Sequence, residues 1–337
     1  MKLTHFKKLK KTFIIAEIGN NHEGNLNLAK KLIVLAAKAG ADAVKFQTFK
    51  TNDFIKNTDK KRFGRLKKFE FSFEEFLSLK KTAKKNRILF MSTALDFKSA
   101  NFLKKNTSII KIASSDNNFF PLMKNILRSK KFLIISTGMI EIKNLNEIIE
   151  FIYNILGKKE AHKKVAFLHC VTSYPVEPKY ANLKSISYLL EKTNFCIGYS
   201  DHTIGTEASL ASVALGSKII EKHFTIDKKF SNFRDHLISS DYIEFKNIVN
   251  SIRKLETMLG KKNKIIQAPE KKILKYTRRA CYSSKNIEAG ELITINNIKF
   301  LRSKKNKDFS SLKNILGKKT KVQIKKNKMI KKEHLLL

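Results

Sequence analysis

The chain has 337 residues, 42% of them hydrophobic, which is enough for one large α/β domain with a small appendage or for two medium domains. No apolar run is long enough to span a bilayer as a helix, so we expect no membrane-spanning helix. The apolar run after the basic N-terminus is interrupted at Glu17, too early for a secretory signal, so we expect a cytoplasmic protein.

The formal net charge of +40 has two interpretations. One is nucleic-acid binding. The other is a compositional bias toward lysine, and it is favoured because arginine is scarce and lysine pairs are spread along nearly every polar stretch. We therefore expect no nucleic-acid partner. The three widely spaced cysteines, Cys170, Cys196 and Cys281, favour reduced thiols over a disulfide or a metal finger.

In chain order, short apolar runs alternate with longer amphipathic stretches. The runs predict eight strands: TFIIAEIG, DAVKFQT, RILFMST, SIIKIASS, KFLIISTG, VAFLHCV, FCIGYSDH and SKIIEKHF. The stretches predict helices, among them NLNLAKKLIVLAAKAG, SFEEFLSLKKTAKKN, LNEIIEFIYNILG, EASLASVALG and DYIEFKNIVNSIRKLETMLG. Eight strand–helix units in series predict an α/β fold, a closed (β/α)8 TIM barrel, over residues 1–262.

After this barrel the texture of the sequence changes. Residues 263–279 are basic, contain Pro269, and predict a linker. Residues 280–337 carry short elements with a turn signal at Ala289-Gly290 and predict a compact tail domain. A domain of this size lies near the lower limit for independent folding, so we expect it to pack on a partner surface.

Polar side chains recur at the C-terminal ends of seven of the predicted strands. They are Glu17, Lys45, Gln47, Lys111, Ser114, Asp116, Ser136, Thr137, His169, Thr172, Ser200, Asp201, His202, Glu221, Lys222 and His223. Buried strands exclude polar groups unless these are paired or used, and this end of a barrel is its catalytic face. The pattern therefore predicts an active site there.

The types of these residues indicate the ligand. Lys45 and Lys111, with no counter-carboxylate assigned to them, and the hydroxyls of Ser114, Ser136, Thr172 and Ser200 suit a phosphate or a carboxylate. A Schiff-base lysine is a competing interpretation. His202 and His223 end adjacent strands and are either ligands of a divalent cation or structural histidines, with the spacing alone deciding neither.

Several long motifs, in order, resemble the sialic acid synthase family: AEIGNNHEGNLNLAKKLI, AVKFQTF, KIASSDNNFFPLM, IISTGM, LHCVTSYP, IGYSDHTIG and IIEKHFTID. The tail, RRACYSSKNIEAGELITINNIKFLR, resembles the antifreeze-protein-like (SAF) domain of that family. The resemblance implies a TIM barrel with a small β-clip-like SAF domain. It also implies condensation of phosphoenolpyruvate with an N-acyl amino sugar, a divalent ion (Mn²⁺ or Mg²⁺), and a homodimer in which the SAF domains are swapped.

The resemblance also implies residue roles. Glu17 is the catalytic carboxylate, and His202 and His223 hold the metal that polarises the sugar aldehyde. The phosphoenolpyruvate site comprises Lys45, Lys111, Ser114, Ser136 and Ser200, and the sugar site comprises Gln47, Asp116, Thr172, Tyr174, Asp235 and Arg302 of the tail. From the residues themselves, independently of the resemblance, we expect Gly19 and Gly24 to bend the chain and Asn25 to cap the next helix. We expect Asn21 and His22 to support this loop.

The sequence departs from the family pattern in two places: NFRDHLIS replaces a GPDH-containing loop, and RSKKNKD replaces the Pro-Gly that usually follows the tail arginine. We expect N-acetylmannosamine as acceptor and N-acetylneuraminate as product. Legionaminic or pseudaminic acid synthesis from a 2,4-diacetamido sugar is the alternative. More distant alternatives are a Schiff-base aldolase, a basic nucleic-acid-binding protein and a non-catalytic saccharide-binding barrel.

Overall fold

A computed structural model describes residues 5–129, 131–302 and 312–336 of the chain. The chain divides into two compact units, Met1–Gly260 and Lys261–Leu337. Within the described residues, no helix is both long and apolar enough to cross a membrane.

The first unit is built on a closed parallel barrel in which the strands follow one another in sequence order. The strands are β1 (Phe13–Gly19), β2 (Ala43–Thr48), β3 (Leu89–Ala94), β4 (Ile109–Ile112), β5 (Phe132–Ser136), β6 (Val165–Cys170), β7 (Cys196–Asp201) and β8 (Ile219–His223). Closure is completed by β1 pairing with both β2 and β8. The predicted TIM barrel is confirmed, with all eight strands at the predicted sites.

Helices follow the strands and surround the barrel. They are α1 (Leu26–Lys38), α2 (Thr51–Phe54), α3 (Lys60–Phe69), α4 (Phe73–Lys85), α5 (Phe97–Asn106), α6 (Phe120–Leu127), α7 (Ile142–Lys164), α8 (Lys184–Lys192), α9 (Glu207–Ala214), α10 (Arg234–Ile238) and α11 (Tyr242–Leu259). Local signals set their ends, because Asn25 caps α1 by accepting from the Leu28 amide and Ser72 forms a capping box with Glu75 at α4. Gly157 interrupts α7 with a φ of 73°.

Two apolar layers enclose the strands. Outward-facing residues such as Ile14 and Val44 pack against the helices, whereas Phe13, Ile15 and Met91 fill the barrel interior. Side chains of a strand alternate between the two faces, so β1 presents Phe13, Ile15 and Glu17 inward. The interior is therefore apolar at the N-terminal end of the barrel and polar at its C-terminal end.

The second unit contains α12 (Ala268–Thr277) and an antiparallel pair, β9 (Arg279–Ser283) and β10 (Ile298–Arg302). Its small core comprises Cys281, Ile287, Ile293, Ile298, Ile315, Ile324, Ile330 and Leu335. The segment 263–279, predicted as a linker, thus contains a ten-residue helix. Pro269 lies in the first turn of that helix, where its missing N–H leaves no helical bond unmade.

Candidate active site

Four charged side chains meet inside the C-terminal end of the barrel. Glu17 (β1), Lys45 (β2), Lys111 (β4) and Glu221 (β8) are each exposed by 4% or less. Each stands on the inward face of its strand, two residues beyond an apolar interior residue in β1, β2, β4 and β8 alike. Barrel closure brings them together, although Glu17 and Glu221 are 204 positions apart in the sequence.

These four side chains form a chain of ion pairs. Nζ of Lys45 lies 3.3 Å from Oε2 of Glu17 and 3.1 Å from Oε2 of Glu221. Nζ of Lys111 lies 3.7 Å from Oε1 of Glu221 and donates to Oγ of Ser136 at 2.6 Å. Ser200 donates to Glu221 at 3.0 Å. The expectation that the two lysines lack counter-carboxylates was wrong, because the barrel register places Glu221 between them.

The two carboxyl groups titrate in opposite directions. Burial raises the pKa of Glu17 to about 7, despite the opposing effect of Lys45. Burial also acts to raise the pKa of Glu221, but Lys111 and Lys45 outweigh it and lower that pKa to about 2. At neutral pH Glu221 is therefore ionised, whereas Glu17 exchanges a proton readily.

The two lysines differ as well. Burial lowers the pKa of Lys111 to about 8, because Glu221 compensates it only in part. Burial acts the same way on Lys45, but Glu17 and Glu221 both contact its ammonium and raise its pKa. Lys45 is therefore the firmly charged member of the pair.

His202 and His223 lie side by side at the ends of β7 and β8, with ring centroids 5.4 Å apart. Nδ1 of His202 bonds to the Val171 carbonyl at 2.9 Å, which leaves its Nε2 free to bind a ligand. Nδ1 of His223 is buried without a partner. Burial, followed by the neighbouring His202, holds the pKa of His223 well below its ordinary value, so this ring is neutral.

Such a pair fits a divalent cation, which binds the neutral imidazole and keeps its other positions for water or substrate. Within the described ranges, no group of three or more His, Cys, Asp or Glu side chains converges as a complete metal site. The protein thus offers two nitrogen ligands at most from these histidines, and the buried, unpartnered Nδ1 of His223 is the observation that favours a ligand here.

These groups line a cavity of about 240 Å³. Of the residues predicted for the site, its lining includes Glu17, Lys45, Gln47, Lys111, Ser114, Ser136, Thr172, Tyr174, Ser200, His202, His223 and Asp235. Tyr174 stacks on His202 with centroids 4.3 Å apart and carries the Arg234 guanidinium over its ring at 4.5 Å. Twelve of the fourteen predicted site residues therefore share one cavity.

The other two predicted residues lie elsewhere. Asp116 is in a 3-10 turn after β4, accepts from Ser115 at 3.0 Å, and is not part of the cavity lining. Arg302 is the exposed last residue of β10 in the second unit. The residues after Arg302 that replace the family's Pro-Gly, Ser303 onward, lie outside the described residues.

Four strand-end residues, Thr137, His169, Asp201 and Lys222, do not line the cavity, and the Thr137 hydroxyl donates instead to the Leu168 carbonyl at 3.1 Å. Lys222 pairs with Asp201 at 3.1 Å between the strands and the helices, where Ser209 also donates to Asp201 at 2.6 Å. His169 bonds to the Ala181 carbonyl at 2.9 Å. Their inclusion in a common catalytic face was wrong, since adjacent residues of a strand point to opposite faces.

Sequence reasoning gave no role to several residues that line the cavity, among them Glu221, Thr93, Cys170, Arg62 and Arg234. The position of Glu221 could have been predicted, because it precedes His223 by two residues and therefore lies on the same face of the strand. Arg62 lies on α3, far from any strand end, and no local pattern marks it.

The loop after β1 supports the site from one side. Asn21 donates to the Phe224 carbonyl at 3.0 Å and to Ser239 at 2.9 Å, and His22 stacks on Phe71 at 4.2 Å. A Cβ on Gly24, which has a φ of 81°, would lie 2.2 Å from a backbone oxygen of α3. These contacts match the supporting roles predicted for this loop.

Comparison with known proteins identifies the family of the chain. Residues 32–264 match the model of the NeuB family, and residues 278–336 match that of the SAF domain. The chain belongs to the NeuB family. The predicted family and SAF domain are thereby confirmed, and the chain is an enzyme of the class of phosphoenolpyruvate-using nonulosonic acid synthases.

Three proteins similar to this NeuB-family chain carry names of different nonulosonic acid synthases. The N,N'-diacetyllegionaminic acid synthase of Campylobacter jejuni is 39% identical, over 86% of this chain and 90% of that protein. The human N-acetylneuraminate-9-phosphate synthase is 30% identical, over 95% of this chain and 92% of that protein. The crystal structure of the N-acetylneuraminic acid synthetase of Leptospira borgpetersenii, in complex with citrate, has a TM-score of 0.73 at 36% identity, covering 79% and 91% of the two chains.

Proposed function

We propose that this protein condenses phosphoenolpyruvate with N-acetylmannosamine to give N-acetylneuraminate and inorganic phosphate. The observation that carries the proposal is the buried cluster of Lys45, Lys111, Glu17 and Glu221 beside the histidine pair His202 and His223. It combines cationic donors for an anionic substrate, a proton-exchanging carboxyl and a pair of histidine imidazoles within one cavity.

Phosphoenolpyruvate is bound by its two anionic groups. The ammonium groups of Lys45 and Lys111 and the hydroxyls of Ser114, Ser136 and Ser200 supply charge-assisted and neutral hydrogen bonds to its phosphate and carboxylate. Glu221 holds both ammonium groups in place before the substrate arrives. Because Lys45, Lys111, Ser136 and Ser200 are buried and already oriented, little reorganisation accompanies binding.

The condensation forms one carbon–carbon bond and breaks one carbon–oxygen bond. C3 of phosphoenolpyruvate forms a bond to the aldehyde carbon of the sugar, water adds to C2, and the bond from C2 to the phosphate oxygen breaks. Of the two protons of that water, one ends on the former aldehyde oxygen and one on phosphate. Glu17, whose pKa is raised to about 7 by burial, can take and return a proton at the attacking water near neutral pH.

His202 and His223 would hold the divalent ion, Mn²⁺ or Mg²⁺. When bound, such an ion polarises a carbonyl oxygen as a Lewis acid. The sugar would lie against Gln47, Thr172, Tyr174 and Asp235, with Asp116 and Arg302 as the remaining predicted contacts. Arg302 would reach this site from a second copy of the chain, in a homodimer with swapped SAF domains. We place the enzyme in the cytoplasm and propose no nucleic-acid partner.

A legionaminic or pseudaminic acid synthase using a 2,4-diacetamido sugar is the alternative within the family. One observation favours a different class, the Schiff-base aldolase, because burial lowers the pKa of Lys111 to about 8 and so promotes its amine form. Against this interpretation, the ammonium of Lys111 donates to Ser136 and pairs with Glu221, an arrangement that suits a lysine that binds phosphate.

The test is phosphate release from phosphoenolpyruvate with a panel of acceptors: N-acetylmannosamine, 2,4-diacetamido-trideoxy sugars and simple aldoses. We expect release only when phosphoenolpyruvate, Mn²⁺ or Mg²⁺ and an N-acyl amino sugar are all present. Release that survives full chelation would contradict the two-histidine metal site. Borohydride trapping of pyruvate on Lys111, absent in a Lys111→Arg variant, would support the aldolase instead.

A further inference from the structure

A second cavity, of about 430 Å³, adjoins the reaction cavity. Gln47 and Asp235 line both cavities, so the two spaces are continuous. Asn20, which follows β1 directly, lines the second cavity but not the first. A sugar whose aldehyde lies near Glu17 therefore has its remote end within reach of Asn20.

The side-chain amide of Asn20 is satisfied at one end only. Asn20 is 5% exposed, and its Nδ2 donates to Oε1 of Gln47 at 2.9 Å. Its Oδ1 is buried, and among the residues that the structure describes no donor bonds to this oxygen. A buried acceptor without a donor is costly, so the open position indicates a ligand. Because an amide oxygen can only accept, that ligand must present an O–H or N–H group here.

The turn that carries Asn20 is fixed by its backbone. The Asn20 carbonyl accepts a hydrogen bond from the Glu23 amide at 2.9 Å. The Asn21 amide donates to the Ile18 carbonyl, also at 2.9 Å. Gly19, with a φ of 54°, lets the chain leave β1 where the register with β2 shifts. The open Oδ1 is therefore presented to the cavity from a tight, hydrogen-bonded turn.

The bond from Asn20 also sets the orientation of Gln47. It holds Oε1 of Gln47 toward Asn20, so the NH₂ group of Gln47 faces another partner. A Cβ on Gly19 would lie 3.6 Å from this Nε2 and 3.1 Å from Oε1 of Glu17, so the NH₂ group lies on the side of Glu17. Gln47 therefore presents a donor toward the reacting end of the sugar, whereas Asn20 presents an acceptor toward its remote end.

We propose that Asn20 determines acceptor specificity by accepting a hydrogen bond from the terminal hydroxyl of the sugar, on C6, while its Nδ2 positions Gln47. The inference rests on the proposed function and deepens it, because it states which group of the acceptor this chain selects. The terminal hydroxyl is assigned because it is the group farthest from the aldehyde, and Asn20 lines only the second cavity.

A site built to bond a hydroxyl disfavours the analogue that lacks it, since the buried acceptor is then left unpaired. N-acetylmannosamine, which carries the terminal hydroxyl, should therefore be a better acceptor than a trideoxy sugar without it.

The experiment measures phosphate release by the full chain with Mn²⁺ and phosphoenolpyruvate, using N-acetylmannosamine and its 4-deoxy and 6-deoxy forms as acceptors. For the parent protein we expect kcat/KM to be at least about tenfold lower for the 6-deoxy sugar than for N-acetylmannosamine. Asn20→Leu keeps a branched side chain but removes the amide, and it should reduce this ratio to below about threefold, with KM for phosphoenolpyruvate unchanged. The ratio for the 4-deoxy sugar should be the same in both proteins. Asn20→Asp keeps an acceptor oxygen and should retain the preference for the terminal hydroxyl.

Asn101→Leu is the matched control, the same substitution at an exposed position of α5, and it should change neither the ratios nor KM. If the 6-deoxy sugar reacts as fast as N-acetylmannosamine, the proposal is wrong and water satisfies Oδ1. If Asn20→Leu lowers kcat/KM for every acceptor by the same factor, the proposal is also wrong and Asn20 only supports its loop. Both results leave the synthase intact, whereas the absence of phosphate release with every acceptor would refute the proposed function and this inference with it.

Discussion

Glu17 and Glu221 flank the same lysine, yet the structure predicts a large loss of stability only when Glu221 is replaced by glutamine. In Glu221→Gln, the ammonium groups of Lys45 and Lys111 keep a single carboxyl between them, that of Glu17, which burial favours in its neutral form. At an effective dielectric of about 20, each lost pair at 3–4 Å represents roughly 4 kcal/mol of attraction. Breaking a buried pair from one side costs about 3–5 kcal/mol in measured cases.

In Glu17→Gln, by contrast, the lost charge is one that the folded protein disfavours. Because the pKa of Glu17 is raised in the folded protein, ionisation of Glu17 lowers the free energy of unfolding as the pH rises above the unfolded pKa of 4.5. Replacing Glu17 with glutamine at pH 7 removes this unfavourable contribution. Lys45 retains Glu221 at 3.1 Å. We therefore expect the free energy of unfolding to stay within about 1 kcal/mol of the parent protein.

The measurement is thermal and urea denaturation at pH 7 alongside the phosphate-release assay. Glu221→Gln should lower the melting temperature by about 10 °C, and Glu17→Gln should leave it nearly unchanged. Both should lose activity by about a hundredfold or more. Glu147→Gln, on the exposed face of α7, is the control and should alter neither property. Equal destabilisation by both active-site variants would refute this account of the charge cluster.

Three further predictions concern the scaffold. Glu70 accepts hydrogen bonds from the Thr51 amide at 2.9 Å and from the Thr51 hydroxyl at 2.8 Å. Burial opposes ionisation of Glu70, but these bonds outweigh it and lower the pKa of Glu70 to about 2. Glu70→Gln should therefore lower the free energy of unfolding by about 1–2 kcal/mol above pH 4.5, and denaturation curves should show this difference fading toward pH 2. His236 is buried and contacts Glu23 at 3.2 Å, so His236→Gln should loosen the segment that carries Asp235, a predicted sugar contact. In steady-state kinetics, KM for the acceptor should rise about tenfold, whereas KM for phosphoenolpyruvate should stay unchanged. Gly198→Ala would place a Cβ 2.4 Å from a carbonyl oxygen of β8 and should lower unfolding free energy by at least about 1–3 kcal/mol in urea.

Each of these has an outcome that contradicts it. For Glu70→Gln, a stability difference that stays constant from pH 6 to pH 3 would show that its hydrogen bonds are not charge-dependent. For His236→Gln, equal changes in both KM values would indicate general unfolding instead of a loosened loop. Gly64→Ala is the matched control for Gly198→Ala, because nothing lies within 4 Å of its Cβ in α3. It should be neutral or stabilising by about 0.5–1 kcal/mol.

Much of the fold was predictable because its signals are local. Strand and helix periods, the caps at Asn25 and Ser72, and the count of eight units depend on neighbours within a few residues. The resemblance then implied site residues one by one, and most of them line one cavity. The helix in 268–277 was missed because a basic, proline-containing stretch resembles a linker when its capping residues are overlooked.

The strand pattern of the sequence was enough to predict that polar groups end the strands of a barrel and that lysines, histidines and Glu17 are among them. Which of these groups meet could be read only from the folded barrel. Barrel closure put Glu221 between two lysines, turned Asp201 and Lys222 to the outer face, and brought arginines of α3 beside the reaction cavity. The physical reason is that strand period is a property of neighbouring residues, whereas charge pairing and pKa depend on groups that the chain brings together across about 200 positions.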